Sequence, residues 1–323
     1  MNRFELVRAQ TTAQARDLAA EKPGSVLKAG GIDVLDRLKE HLIEPPRLVD
    51  LKTIPGLAQI SVDKDGTLKI GALATLAQVA GHAAVRASHP ALARACGEAA
   101  SPQVRNVATI GGNLLQRPRC WYYRLESYKC LKKGGDVCFA IAGENRYHVI
   151  FGGGPAFAPH PSSAAVPLVA YGASFVLDGP KGGRVVPAAD FFLLPAQDPT
   201  RENVLEPGEL LKEIRVPSAA GWKSAYYEVR ERAAFDWPLV SAAIALKVSG
   251  GVVRDARVVL GQVATIPWRS AAAEKALVGQ AVGATSAEAA GKAAVEGAQP
   301  MSDNGYKVDL TATLVRRTVA SLA

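Results

Sequence analysis

Apolar and polar positions fall in short blocks along this chain, and the spacing of the apolar residues changes from block to block. Phe4 to Ala9 reads as a strand and Thr12 to Ala20 as a helix, since strands place side chains with period 2 and helices with period 3.6. Ser25 to Lys28 reads as a short strand running straight into a glycine pair, and Ile32 to Lys39 as a short helix. Arg47 to Leu51 and Leu68 to Gly71 read as strands bracketing the polar turn Asp63-Lys64-Asp65-Gly66, which is a hairpin signal. Thr75 to Ala80 and Ala91 to Ala100 have helical periodicity.

The pattern breaks between Arg117 and Gly154, a stretch with aromatics, three cysteines and little periodicity. A loop of that length inside a compact protein is usually functional or disordered. Regular structure resumes at Val166 to Tyr171 and Ser174 to Leu177, followed by the turn Gly179-Pro180-Lys181-Gly182-Gly183. Pro195 to Pro217 reads as a polar connection ending in a strand, Leu210 to Val216, and Ser218 to Gly221 as a linker. Beyond it lie three strand patterns, Ser224 to Val229, Ser241 to Val248 and Ala256 to Gln262, with a turn at Ser249-Gly250-Gly251. Helical patterns at Ala271 to Leu277, Ser286 to Ala298 and Leu310 to Leu322 close the chain. The order is β-α-β, then a long mixed region, then a separate α/β tail, with no internal repeat.

At 323 residues the chain outgrows a single core, so two or three subdomains are expected. Its 48% hydrophobic and 21% charged residues are those of a soluble globular protein. The net charge of +8 is spread along the chain, and its densest group, Arg215, Arg230 and Arg232, is interleaved with Glu228 and Glu231. With no nucleic-acid motif, DNA or RNA binding is not expected, and an acidic partner subunit explains the charge as well. No apolar run approaches the roughly 20 residues that span a bilayer. The first residues carry no secretory pattern, so a cytoplasmic location is expected, or a periplasmic one by co-export with a signal-bearing partner.

Two strand-to-helix junctions carry glycine pairs, Lys28-Ala29-Gly30-Gly31-Ile32-Asp33 and Thr109-Ile110-Gly111-Gly112-Asn113-Leu114. Such junctions expose free amide N–H groups and let a pyrophosphate approach the main chain. No G-x-G-x-x-G follows a strand, so this is not a classical dinucleotide fingerprint. Gly291-Lys292-Ala293 is not a P-loop, because it lacks the earlier glycine and the following Ser or Thr. The four cysteines, Cys96, Cys120, Cys130 and Cys138, make a poor disulfide framework. Cys120, Cys130 and Cys138 are spaced ten and eight residues apart, too widely for zinc pairs and closer to iron–sulfur spacing. The five histidines have no metal-ligand spacing, and no catalytic set stands out.

Four motifs in order resemble one family. Ala29-Gly30-Gly31-Ile32-Asp33-Val34 resembles the A-G-G-T-D-L loop of the flavin subunits of the xanthine dehydrogenase (molybdenum hydroxylase) family. Ser101 to Leu114 is similar to its S-P-Q-I-R-N-x-x-T-I-G-G-N-L, His160-Pro161-Ser162-Ser163 to its H-P-S-D, and Arg232 to Ser241 to its R-A-S-F-D-x-x-L-V-S. The resemblance spans essentially the whole chain. It implies an α+β fold: a vanillyl-alcohol-oxidase-type (PCMH-like) FAD-binding domain in two α/β subdomains, plus a C-terminal α+β domain with a small antiparallel sheet and helices. The expected boundaries are 1–55, 56–217 with a cysteine-containing insertion at about 117–155, and 222–323.

The resemblance further implies that Leu27, Lys28, Ala29, Gly30, Gly31, Ile32, Asp33 and Val34 wrap the FAD diphosphate. Thr109, Gly112 and Asn113 would form a second cradle, with His160, Ser163 and Leu205 near the cofactor and no catalytic residue on this chain. Ile32 replaces a threonine, Ser163 a carboxylate and Glu228 a common lysine. Members of the aldehyde oxidoreductase and 4-hydroxybenzoyl-CoA reductase type carry a [4Fe–4S] cluster in the same insertion. Cys120, Cys130 and Cys138 match three of its ligands, while Ala156 stands at the fourth. A cluster with another fourth ligand, a three-iron cluster and a loop without a cluster are all compatible with that pattern. The function implied is electron transfer from [2Fe–2S] clusters of a small partner subunit, through FAD, to an acceptor. A large partner subunit would hold the molybdenum cofactor, with aldehyde oxidation the expected reaction. The alternative is a standalone flavin-dependent oxidoreductase of the same fold.

Overall fold

The computed structural model describes residues 1–323. Five elements open the chain: β1 (Glu5–Arg8), α1 (Thr12–Ala20), β2 (Val26–Lys28), α2 (Ile32–Lys39) and β3 (Arg47–Asp50). Thr11 starts α1, its hydroxyl accepting from the Gln14 amide at 3.0 Å. The strands form a parallel sheet in the order β1-β3-β2. Central β3 is buried at Leu48 and Val49, and Val49 packs with Ala15 of α1 and with Leu51, Ile54 and Leu57.

The next unit contains β4 (Ile60–Val62), β5 (Leu68–Gly71), α3 (Leu76–Gly81), α4 (Ala83–Ser88), α5 (Pro90–Glu98), α6 (Pro102–Arg105) and α7 (Ile110–Leu114). After the insertion, with its single turn α8 (Trp121–Arg124), come α9 (Ala165–Ala170), β6 (Ser174–Gly179), β7 (Gly182–Pro187), α10 (Ala188–Phe191) and β8 (Leu210–Val216). The five strands form an antiparallel sheet, β4-β5-β8-β6-β7. The hairpin at Asp63 to Gly66 therefore joins β4 to β5, not the strand at Arg47, which belongs to the first sheet. Three residues, Ile60 to Val62, are too short a run to register as a strand pattern, and the expected pairing skipped them.

The last unit holds β9 (Trp222–Val229), β10 (Val240–Ser249), β11 (Val252–Gly261), β12 (Trp268–Arg269), α11 (Ala271–Leu277), α12 (Ala284–Ala293) and α13 (Tyr306–Ala320). Its antiparallel sheet runs β12-β11-β10-β9. Ala242, Ile244 and Leu246 of β10 face a core shared with these helices, while Ala243, Tyr226 and Val259 join the core of the preceding unit. Both faces of β10 are thus covered, and its sequence is a continuous apolar run rather than an alternating one. No helix is long and apolar enough to cross a membrane.

The insertion is tied down rather than loose. Trp121, Tyr122, Tyr128, Phe139 and Tyr147 pack mostly edge to face, with ring centres 5.0–6.1 Å apart. Asn304, fully buried, donates to the carbonyls of His148 and Val149, and Lys307 donates to those of Tyr147 and Gln262.

Candidate functional site

The first glycine loop follows β2, and each glycine has its own reason. A Cβ on Gly30 would collide with the Val107 carbonyl oxygen and lie 3.0 Å from its carbon, so Gly30 permits close contact between the two loops. Gly31 takes a φ of +87°, where only glycine is unstrained, and caps α2 without a side-chain hydrogen bond. The amides of Gly30, Gly31, Ile32, Asp33 and Val34 consequently donate to no protein acceptor. Free N–H groups at a helix start, with the positive end of its dipole, suit an anion.

The second loop is fixed by its own side chains. Thr109 Oγ1 accepts from the Gly112 amide at 3.1 Å, and Gly111 donates to the Ala72 carbonyl at 2.9 Å. Asn113 Oδ1 accepts from Ser162 Oγ at 2.6 Å and from the Ala164 amide at 3.4 Å, leaving the Asn113 NH2 without a protein acceptor. Gly112 faces open space apart from Thr109 Oγ1 at 3.0 Å.

Both loops line one cavity of about 530 Å³, within the usual range for small-molecule and cofactor sites. Leu27, Ala29, Gly30, Gly31, Ile32, Asp33 and Val34 form one wall, and Thr109, Gly112 and Asn113 another. Ser163 and Leu205 also line it.

Two expected site residues do not line it. Lys28 turns its ammonium to Asp50 at 3.4 Å, while its carbonyl accepts from Leu51, so it holds β2 to β3. His160 is buried with its ring edge-on to Phe192 at 4.6 Å. Burial pushes its pKa down to about 3, so it is neutral and packs behind the wall.

The cysteines expected at an iron–sulfur site form no metal-holding group in this structure. No three His, Cys, Asp or Glu side chains converge so as to hold a metal ion, and all four cysteines are free. Cys120 Sγ instead lies 3.2 Å from His148 Nε2, and Ala156, at the position of the fourth cysteine, is a buried packing residue.

Side chains remote in sequence complete the cavity. Phe235, Asp236, Trp237 and Pro238, between β9 and β10, close one side, with Phe235 at a φ of +52°. Glu228 lines it with its side chain 1% exposed. It accepts from Tyr226 OH at 2.5 Å and Ser163 Oγ at 3.3 Å, with Arg230 Nη2 3.0 Å away. Burial nevertheless raises its carboxyl above the ordinary range. Glu228 thus places a carboxyl group beside Ser163 on the cavity wall. Arg119 also lines the cavity. No periodicity marks it, since it stands in an irregular loop 86 residues after Asp33, which it meets at 3.0 Å.

A glycine-built cavity with paired anion-binding loops defines a protein that binds a phosphate-bearing cofactor. Residues 2–219 match the family described as the FAD binding domain in molybdopterin dehydrogenase, and 225–322 the CO dehydrogenase flavoprotein C-terminal domain. The aldehyde oxidoreductase FAD-binding subunit PaoB of Escherichia coli is 36% identical, over all of this chain and 98% of that protein. The carbon monoxide dehydrogenase medium chain of Hydrogenophaga pseudoflava is 30% identical over 91% of this chain and 87% of that one. A solved structure of carbon monoxide dehydrogenase from the same organism, lacking the Mo-pyranopterin moiety of its cofactor, superposes with a TM-score of 0.77 at 31% identity, covering 98% of this chain and 96% of that one. The chain belongs to the family of FAD-binding medium subunits of molybdenum hydroxylases, the xanthine dehydrogenase family, and is an FAD-dependent oxidoreductase subunit.

Proposed function

We propose that this chain holds FAD in the 530 Å³ cavity as the electron-transfer subunit of a molybdenum hydroxylase, with aldehyde oxidation as the reaction of the assembly. A large subunit with the molybdenum cofactor and a small subunit with [2Fe–2S] clusters are its partners. The observation that carries the reading is the row of unpaired amides from Gly30 to Val34 on the cavity wall. The likeness to PaoB over all of this chain supports the choice of aldehydes. When bound, FAD supplies the redox chemistry.

The protein's part is placement. The α2 amides and the Asn113 NH2 meet the diphosphate, Leu27 and Leu205 give apolar contact, and the 235–238 segment limits water. Ile32 offers no hydroxyl where the family has threonine, which removes one hydrogen bond worth roughly 1–3 kcal/mol and leaves the backbone donors intact. On this reading the units 1–55, 56–217 and 222–323 meet around the cofactor. Four unpaired cysteines suit the cytoplasm.

Absorbance of the gently purified chain tests the core claim. Noncovalent flavin near one per chain is expected, and a colourless protein that takes up no added FAD refutes it. Copurification with one larger and one smaller partner tests the assembly, and a fully active single chain would favour the standalone alternative.

A further inference from the structure

Asp33 is an awkward residue for a diphosphate site. It sits in the first turn of α2, among the amides that would meet an anion, and its carboxylate would oppose the phosphate charge. Three arginines surround it. Arg37, one turn along α2, places Nε 3.2 Å from Oδ2, while Arg124 Nη2 lies 2.7 Å and Arg119 Nη2 3.0 Å from Oδ1. The same two insertion arginines reach Asp36, Arg119 at 3.0 Å and Arg124 at 3.2 Å, and the Arg117 amide donates to Asp33 Oδ2 at 3.3 Å.

The insertion holds these arginines in place. Arg124 Nε donates to the Pro118 carbonyl at 2.8 Å, and its side chain is only 9% exposed. Arg119 donates to Gln116 Oε1 at 3.3 Å and stacks over the Trp237 ring at 4.9 Å, linking the insertion to the far wall of the cavity. Burial alone would raise the Asp33 carboxyl, but Arg119 and Arg124 outweigh it and hold it below the ordinary carboxylate value.

We propose that the 117–155 insertion is an electrostatic clamp on the cofactor loop. Arg119 and Arg124 cancel the Asp33 charge, so the start of α2 presents unopposed amides to a diphosphate. The inference rests on the FAD reading above and adds a dependence that reading does not contain: cofactor affinity is conditional on the insertion. Arg124, which does not line the cavity, is a positioning residue that acts through Asp33, and Arg119 acts on Asp33 from the cavity wall.

FAD titration of the full-length apoprotein, followed by flavin fluorescence, tests the clamp. Arg119→Gln with Arg124→Gln should weaken FAD binding roughly tenfold, because Arg37 stays beside Asp33 and leaves its charge only partly compensated. Adding Asp33→Asn to that pair should restore most of the affinity, which a purely structural role of the arginines would not allow. Asp33→Asn alone should bind FAD at least as tightly as the unaltered chain, and this arm decides the matter if the arginine pair does not fold. The clamp is overturned by an unchanged affinity in the arginine pair, by a triple variant as weak as the pair, or by weakened binding in Asp33→Asn alone. An unaltered chain that binds no FAD would instead sink the FAD reading itself.

Discussion

Gly30→Ala separates loop packing from ordinary glycine chemistry. The φ of Gly30 is not in the left-handed region, so alanine meets no backbone strain there. At such a site Gly→Ala normally stabilises by about 0.4–1 kcal/mol through the unfolded chain. Here the new Cβ would overlap the Val107 carbonyl oxygen and lie 3.0 Å from its carbon and 3.3 Å from Ala108 Cα. All three are backbone atoms of the segment leading into Thr109, so no side chain can swing away. Carbon contacts need roughly 3.5–4.0 Å and the overlapped carbonyl oxygen demands more still, so the two loops must part by about one ångström or more. Overpacking of that kind costs about 1–3 kcal/mol, reversing the usual sign. Because the same loop carries the free amides, FAD affinity should fall about tenfold or more, 1.4 kcal/mol being one decade. Urea unfolding of the apoprotein should show a lower midpoint at unchanged slope, and FAD titration a raised Kd. A variant that unfolds at or above the original midpoint, with unaltered FAD affinity, would refute the close-packing argument.

Gly112→Ala should behave oppositely: its Cβ meets only Thr109 Oγ1 at 3.0 Å, so stability holds while the added methyl invades the cavity and flavin content drops. Absorbance against melting temperature checks this, and loss of both together contradicts it. Asn304→Ala leaves the His148 and Val149 carbonyls without their donor and should destabilise the chain by roughly 2–4 kcal/mol; urea midpoints within error of each other would remove Asn304 from the account. Lys307 is buried, and burial pushes its pKa down to about 7 from 10.5. The unfolded chain therefore binds more protons between pH 7 and 10.5, and stability rises with pH across that window. Relative to Lys307→Met, the unaltered chain should gain a few kcal/mol, as an order of magnitude, between pH 7 and 10. Two parallel stability curves would show that Lys307 is not buried in this way.

Much of the local structure was legible because its causes are local. α2 at Ile32–Lys39 and α11 at Ala271–Leu277 fall where their periodicity predicts, and β5 and β8 likewise. In each, the pattern of apolar positions lies within one element and depends on one buried face. β7 (Gly182–Pro187) went unread because it is a mostly exposed sheet-edge strand with no alternating apolar face. β12, at two residues, has no period at all. The aromatics of the aperiodic stretch pack it from within, Trp121 lying edge to face against Tyr122 and Tyr147.

The sequence by itself determined the two glycine loops, the helix that starts at Ile32 and the order of motifs that marks the family. Those depend on backbone conformation and on residues adjacent in the chain. Only the tertiary structure decided which side chains share the cavity. It brought Glu228 to Ser163, Trp237 to Arg119 and two insertion arginines to Asp33, while turning Lys28 and His160 away. It also left Cys120, Cys130 and Cys138 without a convergent ligand set. The physical reason is range: a turn or a helix start is settled by neighbours a few positions away. Charge pairing across 86 or 91 residues depends on how elements of the first and second units come together around one space.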